Sequence, residues 1–354
     1  MLLEFRVENF LSFKDETVLN MLASTSIKKD DLADSLISIS NLNVLSSVAI
    51  FGANASGKSN FLEAFKFMKD FVENSADKNK FGKPIDIECF KLSEETENEP
   101  STFEITFVVP SNDLPYAKNE NTIFRYGFQV DKEKVKREWL FARFTAQESK
   151  LFTRDEADLY FNEKFKEGRQ IHKTLGKIDA KALFLSMIGS IKGKEAPITK
   201  HIMEWFLYFR SITSIAKYRD TSITASMIDY GETPIRKTII KALAYADIGI
   251  EDMKVHIKTV KSDELPSEVL EYMKSMAEGK EISKEIELST LKTTHSKYNS
   301  KLDKVGKVLF DFEKEESEGT KRFFSIIGPV ILTLMNGLVL FIDEIDARLH
   351  PGLV

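Results

Sequence analysis

A chain of 354 residues, 42% hydrophobic and 30% charged, has enough apolar material for about two domains of ~150 residues without disulfide staples. Its 50 Lys and Arg against 55 Asp and Glu give a formal net charge of -5, which excludes a whole-chain polycation that coats nucleic acid. The single cysteine, Cys89, excludes an intrachain disulfide framework and fits a reducing, cytoplasmic setting.

Leu3, Phe5 and Val7 alternate with Glu4, Arg6 and Glu8, which predicts a strand and denies an export signal its uncharged run. The stretch through Phe13 and Val18 is expected to return as a hairpin. Residues 23–43 are less regular. Residues 44–51 are β-branched-rich and nearly free of polar side chains, as a strand covered on both faces would be, and end at Gly52. After Ser59, the spacing of Phe61, Phe65, Met68 and Val72 predicts an amphipathic helix.

Alternating apolar positions from Phe103 to Val109 and from Phe124 to Val130, followed by residues 139–144, predict an antiparallel meander. Helices are expected within 181–214, where Ile198, Ile202, Trp205 and Phe209 share a stripe, and at 234–247 and 266–278. The middle is thus a mixed, mainly helical insert. Within it, residues 161–220 hold twelve Lys or Arg against six Asp or Glu, a bias that suits either a solvated helical face or contact with nucleic acid. Residues 323–342 run twenty positions without a charge. Pro329, Asn336 and Gly337 interrupt them and Asp343-Glu344 follow, so a buried helix, a turn and a buried strand are predicted in place of a membrane span.

Three motifs carry chemistry. Gly52-Ala53-Asn54-Ala55-Ser56-Gly57-Lys58-Ser59 has the full spacing of a phosphate-binding P-loop. Its glycines let backbone N–H groups turn toward phosphate oxygens, Lys58 places a point charge near the β and γ phosphates, and Ser59 offers a hydroxyl to magnesium. Residues 338–342 form a continuous apolar run ending in Asp343 and Glu344. Asp343 is placed to hold the magnesium shell and Glu344 to orient and deprotonate water, with the two acids on opposite sides of the strand. The alternative is a strand that ends at a solvated acidic turn. Third, Ser317-Glu318-Gly319-Thr320 precedes an apolar run and reads either as an ordinary helix cap or as a second phosphate site built on free N–H groups. Gly319 lies 24 residues before Asp343, room for one helix.

With these motifs the chain resembles the ABC-type ATPase heads of the RecF, SMC and OLD-like proteins. It is most similar to the AAA-type ATP-binding proteins of bacterial phage-defence and abortive-infection systems, whose opening Asn-Phe, Ser-Phe hairpin is matched by Asn9-Phe10 and Ser12-Phe13. The resemblance is specific over residues 1–75 and 305–354. It implies a P-loop NTPase of ABC-head type with an antiparallel β lobe, divided as 1–150, an inserted region 151–304, and 305–354. It further implies ATP and Mg2+ as ligands and a cytoplasmic homodimer with ATP between its heads. Lys58 and Ser59 of one copy would hold ATP and magnesium while Ser317 and Gly319 of the other cover the γ phosphate, and Asp346 would fall in the D-loop.

The family's glutamine loop has two candidates by location, Gln129 and Gln147. Its switch histidine normally follows one strand after the catalytic glutamate; His350 lies closer than that, and the chain stops ten residues after Glu344, so the expectation is either a piece of a longer protein or a closing strand supplied from elsewhere. Lys58 and Glu344 are 286 residues apart, more than a compact hexameric motor core allows, and the insert lacks the long coiled coil of cohesion proteins. The expected function is an ATP-gated switch acting on a protein effector in anti-phage defence. The alternatives are a DNA-processing, OLD-like module whose nuclease part lies elsewhere, and a head that binds nucleotide without hydrolysing it.

Overall fold

A computed structural model describes residues 1–24, 35–39, 41–77, 83–176, 178–191, 195–207, 209–212, 221–229, 231, 233–246, 249–261, 285–345 and 349. The chain divides into two compact units, Met1–Thr213 with Gly337–Asp343, and Ser214–Asn336 with Glu344–Val354.

In the first unit, β1 (Leu2–Glu8) and β2 (Thr17–Asn20) form the expected antiparallel pair. Strand β1 also pairs with β5 (Ser101–Pro110), which leads through β6 (Asn121–Val130), β7 (Val135–Arg143) and β8 (Ser149–Asp155) to β9 (Asp158–Phe161). The result is one antiparallel sheet of order β2-β1-β5-β6-β7-β8-β9. Its period-2 pattern buries Phe103, Ile105 and Phe107 on the face that receives α1 (Lys58–Asn74). Helix α1 seats Phe61, Phe65, Met68 and Val72 there, the stripe its spacing predicts. Helices α2 (Lys166–Leu175), α3 (Phe184–Gly189) and α4 (Pro197–Leu207) complete the core.

Two buried glutamates organise these helices. Glu138, fully buried on β7, accepts from the backbone N–H groups of Phe184 and Leu185 at 2.7 and 3.0 Å and from the Tyr126 hydroxyl at 2.9 Å. Glu167 does the same at the start of α4, accepting from Ile198 N at 3.1 Å and from Thr199 N and Oγ1 at 2.7 Å. Each carboxylate satisfies amides that a helix start leaves without intrahelical partners.

Residues 44–51 depart from expectation. The strand β4 is Leu42–Leu45, paired antiparallel with β3 (Leu36–Ile39), and residues 47–53 form no strand among the described residues. Val48 and Ile50 are each 44% exposed and Phe51 is 91% exposed. Composition gave this segment strand character, but a strand also needs a neighbour to accept its backbone bonds. Phe209, read as the last position of a helical stripe, opens β10 (Phe209–Ile212), which pairs in parallel with β14 (Val339–Ile342).

The second unit contains α5 (Ser222–Asp229), α6 (Pro234–Tyr245) and the antiparallel sheet β11 (Ile250–Lys261), β12 (Glu285–Tyr298) and β13 (Lys304–Asp311), followed by α7 (Phe312–Glu315) and α8 (Glu318–Asn336). Residues 151–304 are therefore mixed, with long strands beside the expected helices. The predicted helix at 266–278 lies outside the described residues. Phe312 and Phe324 meet at 4.9 Å in the core of this unit. Where α5 crosses α8, the Thr224 hydroxyl donates to Phe324 O at 2.7 Å and accepts from Gly328 N at 3.2 Å. The apolar run 323–342 resolves into α8, a turn at Gly337 with φ +60°, and β14, as its sequence predicts. Among the described residues no helix is long and apolar enough to cross a membrane.

Candidate nucleotide-binding site

The loop 52–59 leads directly into α1. Gly57 stands at the helix N-cap with φ +94°, and Ala55 is also left-handed at φ +63°. The first intrahelical bond, Phe61 N to Gly57 O at 2.9 Å, leaves the amides of Lys58, Ser59 and Asn60 outside the helical ladder. Among the described residues no side chain caps them, and no acid occupies the first turn, so the positive end of the helix dipole meets no competing anion of its own. Lys58 Nζ donates to Gly52 O at 2.7 Å and Ala53 O at 2.9 Å, folding the lysine across its own loop. Gly52 and Ser56 close the turn: a side chain at Gly52 would come within 2.5 Å of Ser56 Oγ, and Ser56 N donates to Ala53 O at 3.2 Å. Asn54 lies in the same exposed turn.

The turn joining β1 to β2 supports this loop, a contribution that sequence reasoning missed. A Cβ at Gly57 would lie 2.6 Å from Ser12 Oγ and 3.3 Å from Phe13 Cζ. Asn9, buried with φ +51°, fixes that turn by donating to Thr96 O and Glu99 O at 3.0 and 2.8 Å and accepting from Phe90 N at 3.0 Å. The Asn9-Phe10 and Ser12-Phe13 pairs were the available signal.

Asp343 follows β14 in the same unit as α1, and Phe341, two residues earlier, packs against Phe65 of that helix. Asp343 and Glu344 both lie beyond the end of β14, so strand alternation does not set their directions as expected. Glu344 instead has φ +48°, an uncommon backbone for a non-glycine residue. It is exposed, whereas Asp343 is half-buried.

In the second unit, Ser317 caps α8: its Oγ accepts from Thr320 N at 3.0 Å and its carbonyl from Lys321 N at 3.0 Å. Gly319 lies in the first turn of that helix. Gln129 sits within β6, donating to Thr102 Oγ1 at 3.3 Å, and Gln147 lies in the exposed turn between β7 and β8. Asp346 and His350 fall outside the described residues, as do 177, 192–194, 208 and 213–220 of the basic stretch.

The donor set fits a nucleotide triphosphate with magnesium. Among the described residues no group of three or more His, Cys, Asp or Glu could hold a metal unaided. Mg2+ characteristically takes one or two protein oxygens and completes its shell with phosphate and water; the Ser59 hydroxyl and the Asp343 carboxylate are oxygens of that kind.

The fold is mixed α/β with a large antiparallel sheet, and its P-loop opens a helix packed on that sheet, the arrangement of a nucleotide-binding class. Residues 47–191 match the family described as "AAA domain, putative AbiEii toxin, Type IV TA system", a stretch that includes the whole phosphate loop, α1 and β5 to β9. This match supports an AAA/ABC-like ATPase domain over that stretch. No curated protein matches it.

Proposed function

We propose that the chain is an ATP-hydrolysing switch that dimerises around ATP and relays that closure to a protein partner in anti-phage defence. The observation that carries this is the helix start at Gly57-Lys58-Ser59, with uncapped amides and a free first turn, on a helix whose Phe65 packs two residues ahead of Asp343. Lys58 and the loop amides bind the phosphates, and Ser59 and Asp343 hold magnesium, which when bound neutralises charge on the β and γ oxygens. Glu344 accepts the proton of the attacking water. Ser317 and Gly319 of a second copy complete the site, so ATP makes contacts in the closed dimer that the open state lacks, and hydrolysis removes them. A family described by a toxin of a toxin–antitoxin system supports a protein partner and a defence role.

The test is Glu344→Gln, which keeps the shape of the side chain and removes its basicity. Size-exclusion chromatography with ATP and magnesium is expected to show a trapped dimer with turnover reduced by about 100-fold or more. Lys58→Ala is expected to bind no ATP. Unchanged turnover and no dimer in Glu344→Gln would overturn the assignment.

A further inference from the structure

The residue before Ser317 is held from another element. The side chain of Glu316 is 7% exposed and turns inward, where its Oε1 accepts from the Thr293 hydroxyl and lies 2.6 Å from His295 Nε2. Both partners belong to β12. A bond to a carboxylate oxygen requires Nε2 to carry the proton. Thr293 is fully buried, and the His295 ring lies 4.6 Å from that of Phe310 on the neighbouring strand β13, which fixes its orientation. Two donors on a strand thus converge on one carboxylate immediately ahead of the α8 cap. The next residue of β12, Ser296, donates to Glu251, which also takes Lys304 and Lys307, so polar contacts join all three strands at the same end of the sheet.

We propose that His295 and Thr293 are positioning residues: by gripping Glu316 they set the orientation of Ser317 and of the first α8 amides toward the ATP of the opposing copy. They thereby couple the β11–β13 sheet to the nucleotide site. This rests on the dimer reading above. Neither residue touches nucleotide; each acts through Glu316. Without the His295 donor, a mostly buried carboxylate keeps one partner among the described residues and the start of α8 loses its anchor.

The experiment compares wild type, His295→Ala, His295→Gln and Thr293→Val. Glutamine carries an N–H at nearly the same reach from the backbone as histidine Nε2, so it restores the bond without the ring. Three quantities are measured: the Kd of the monomer for a fluorescent ATP analogue, ATP-driven dimerisation with turnover, and amide exchange over 317–321. In His295→Ala, Kd is expected to stay within about twofold, dimerisation and turnover to fall about tenfold or more, and exchange to accelerate; His295→Gln is expected to return all three toward wild type. Thr293→Val, which removes one donor from the same carboxylate at nearly constant volume, is expected to show the same pattern more weakly and stands in if His295→Ala does not fold.

Wild-type turnover and exchange in His295→Ala would overturn the proposal. So would a Kd that worsens in step with turnover, which marks general damage, or a folded His295→Gln that fails to rescue. If wild type itself neither dimerises nor hydrolyses ATP, the dimer reading fails on that result alone. The grip on Glu316 is then judged by exchange over 317–321, and unchanged exchange in His295→Ala overturns it.

Discussion

Phe65 and Phe341 lie with ring centroids 4.2 Å apart at an interplanar angle of 41°. Phe65 is two helical turns beyond Lys58 and Phe341 is two residues before Asp343, so one aromatic contact joins the element that presents the lysine to the element that presents the acid. Phe65 also stacks on Phe5 at 3.6 Å, extending the contact into the main sheet. Phe341→Ala is expected to lower stability by about 2–4 kcal/mol in chemical denaturation. It is also expected to raise the KM for ATP, because α1 and β14 then settle independently.

Gly57 is constrained twice, by its φ of +94° and by Ser12 Oγ at 2.6 Å from where a Cβ would sit. Gly57→Ala is therefore expected to cost about 1–3 kcal/mol locally and to weaken nucleotide binding by about tenfold or more in a fluorescence titration. Circular dichroism is expected to stay near wild type, since α1 is held by its buried stripe and not by its first residue.

Acid–base behaviour separates the two units. Burial pushes the Glu138 carboxyl above its ordinary value of 4.5 although Arg154 lies 3.9 Å away, and burial likewise raises Glu167. The folded protein keeps these protons after the unfolded chain has released them, so their contribution is complete below pH 4.5 and is lost as pH rises through the folded values. Glu251 runs the other way: hydrogen bonds from Lys304 and Ser296 lower it from 4.5 to about 2. Its contribution is present above pH 4.5 and is lost as pH falls toward 2. Melting temperatures across pH are expected to show Glu251→Gln flattening the acid limb and Glu138→Gln flattening the limb above pH 4.5.

Gly328 allows α8 to approach α5 closely. A Cβ there would lie 2.3 Å from Thr224 Oγ1 and 2.9 Å from Thr224 Cα, and the second atom belongs to backbone and cannot rotate away. Gly328→Ala is expected to destabilise the protein by about 1–3 kcal/mol in urea unfolding. Gly306→Ala, in β13 with nothing within 4 Å of the added carbon, is the control and is expected to be neutral or slightly stabilising.

Local periodicity revealed α1, the meander β5 to β7, and the α8–turn–β14 sequence, because each buries a face whose spacing is written in consecutive residues. The P-loop and the Ser317 cap were legible for the same reason: their backbone geometry is decided within a few positions. What was not legible depends on partners distant in the chain. Residues 44–51 have strand chemistry, yet of these only Val44 and Leu45 find an antiparallel neighbour in β3, and Phe209 pairs with Val339 instead of ending a helix. The Glu316 grip was hidden because neither Thr293 nor His295 belongs to a motif, and Glu316 stands in sequence as one of several acids around Ser317.

The exposed segment from Val48 to Phe51 contributes to how the chain behaves in concentrated salt. A net charge of -5 repels copies over about a Debye length, and added salt removes that repulsion while leaving the wetted phenyl ring of Phe51 untouched. Sulfate and phosphate, excluded from such surfaces, strengthen their mutual attraction. Precipitation by ammonium sulfate should therefore begin at a lower concentration for the native chain than for a Phe51→Ser variant, with side chains ahead of the phosphate loop shifting the salting-out point.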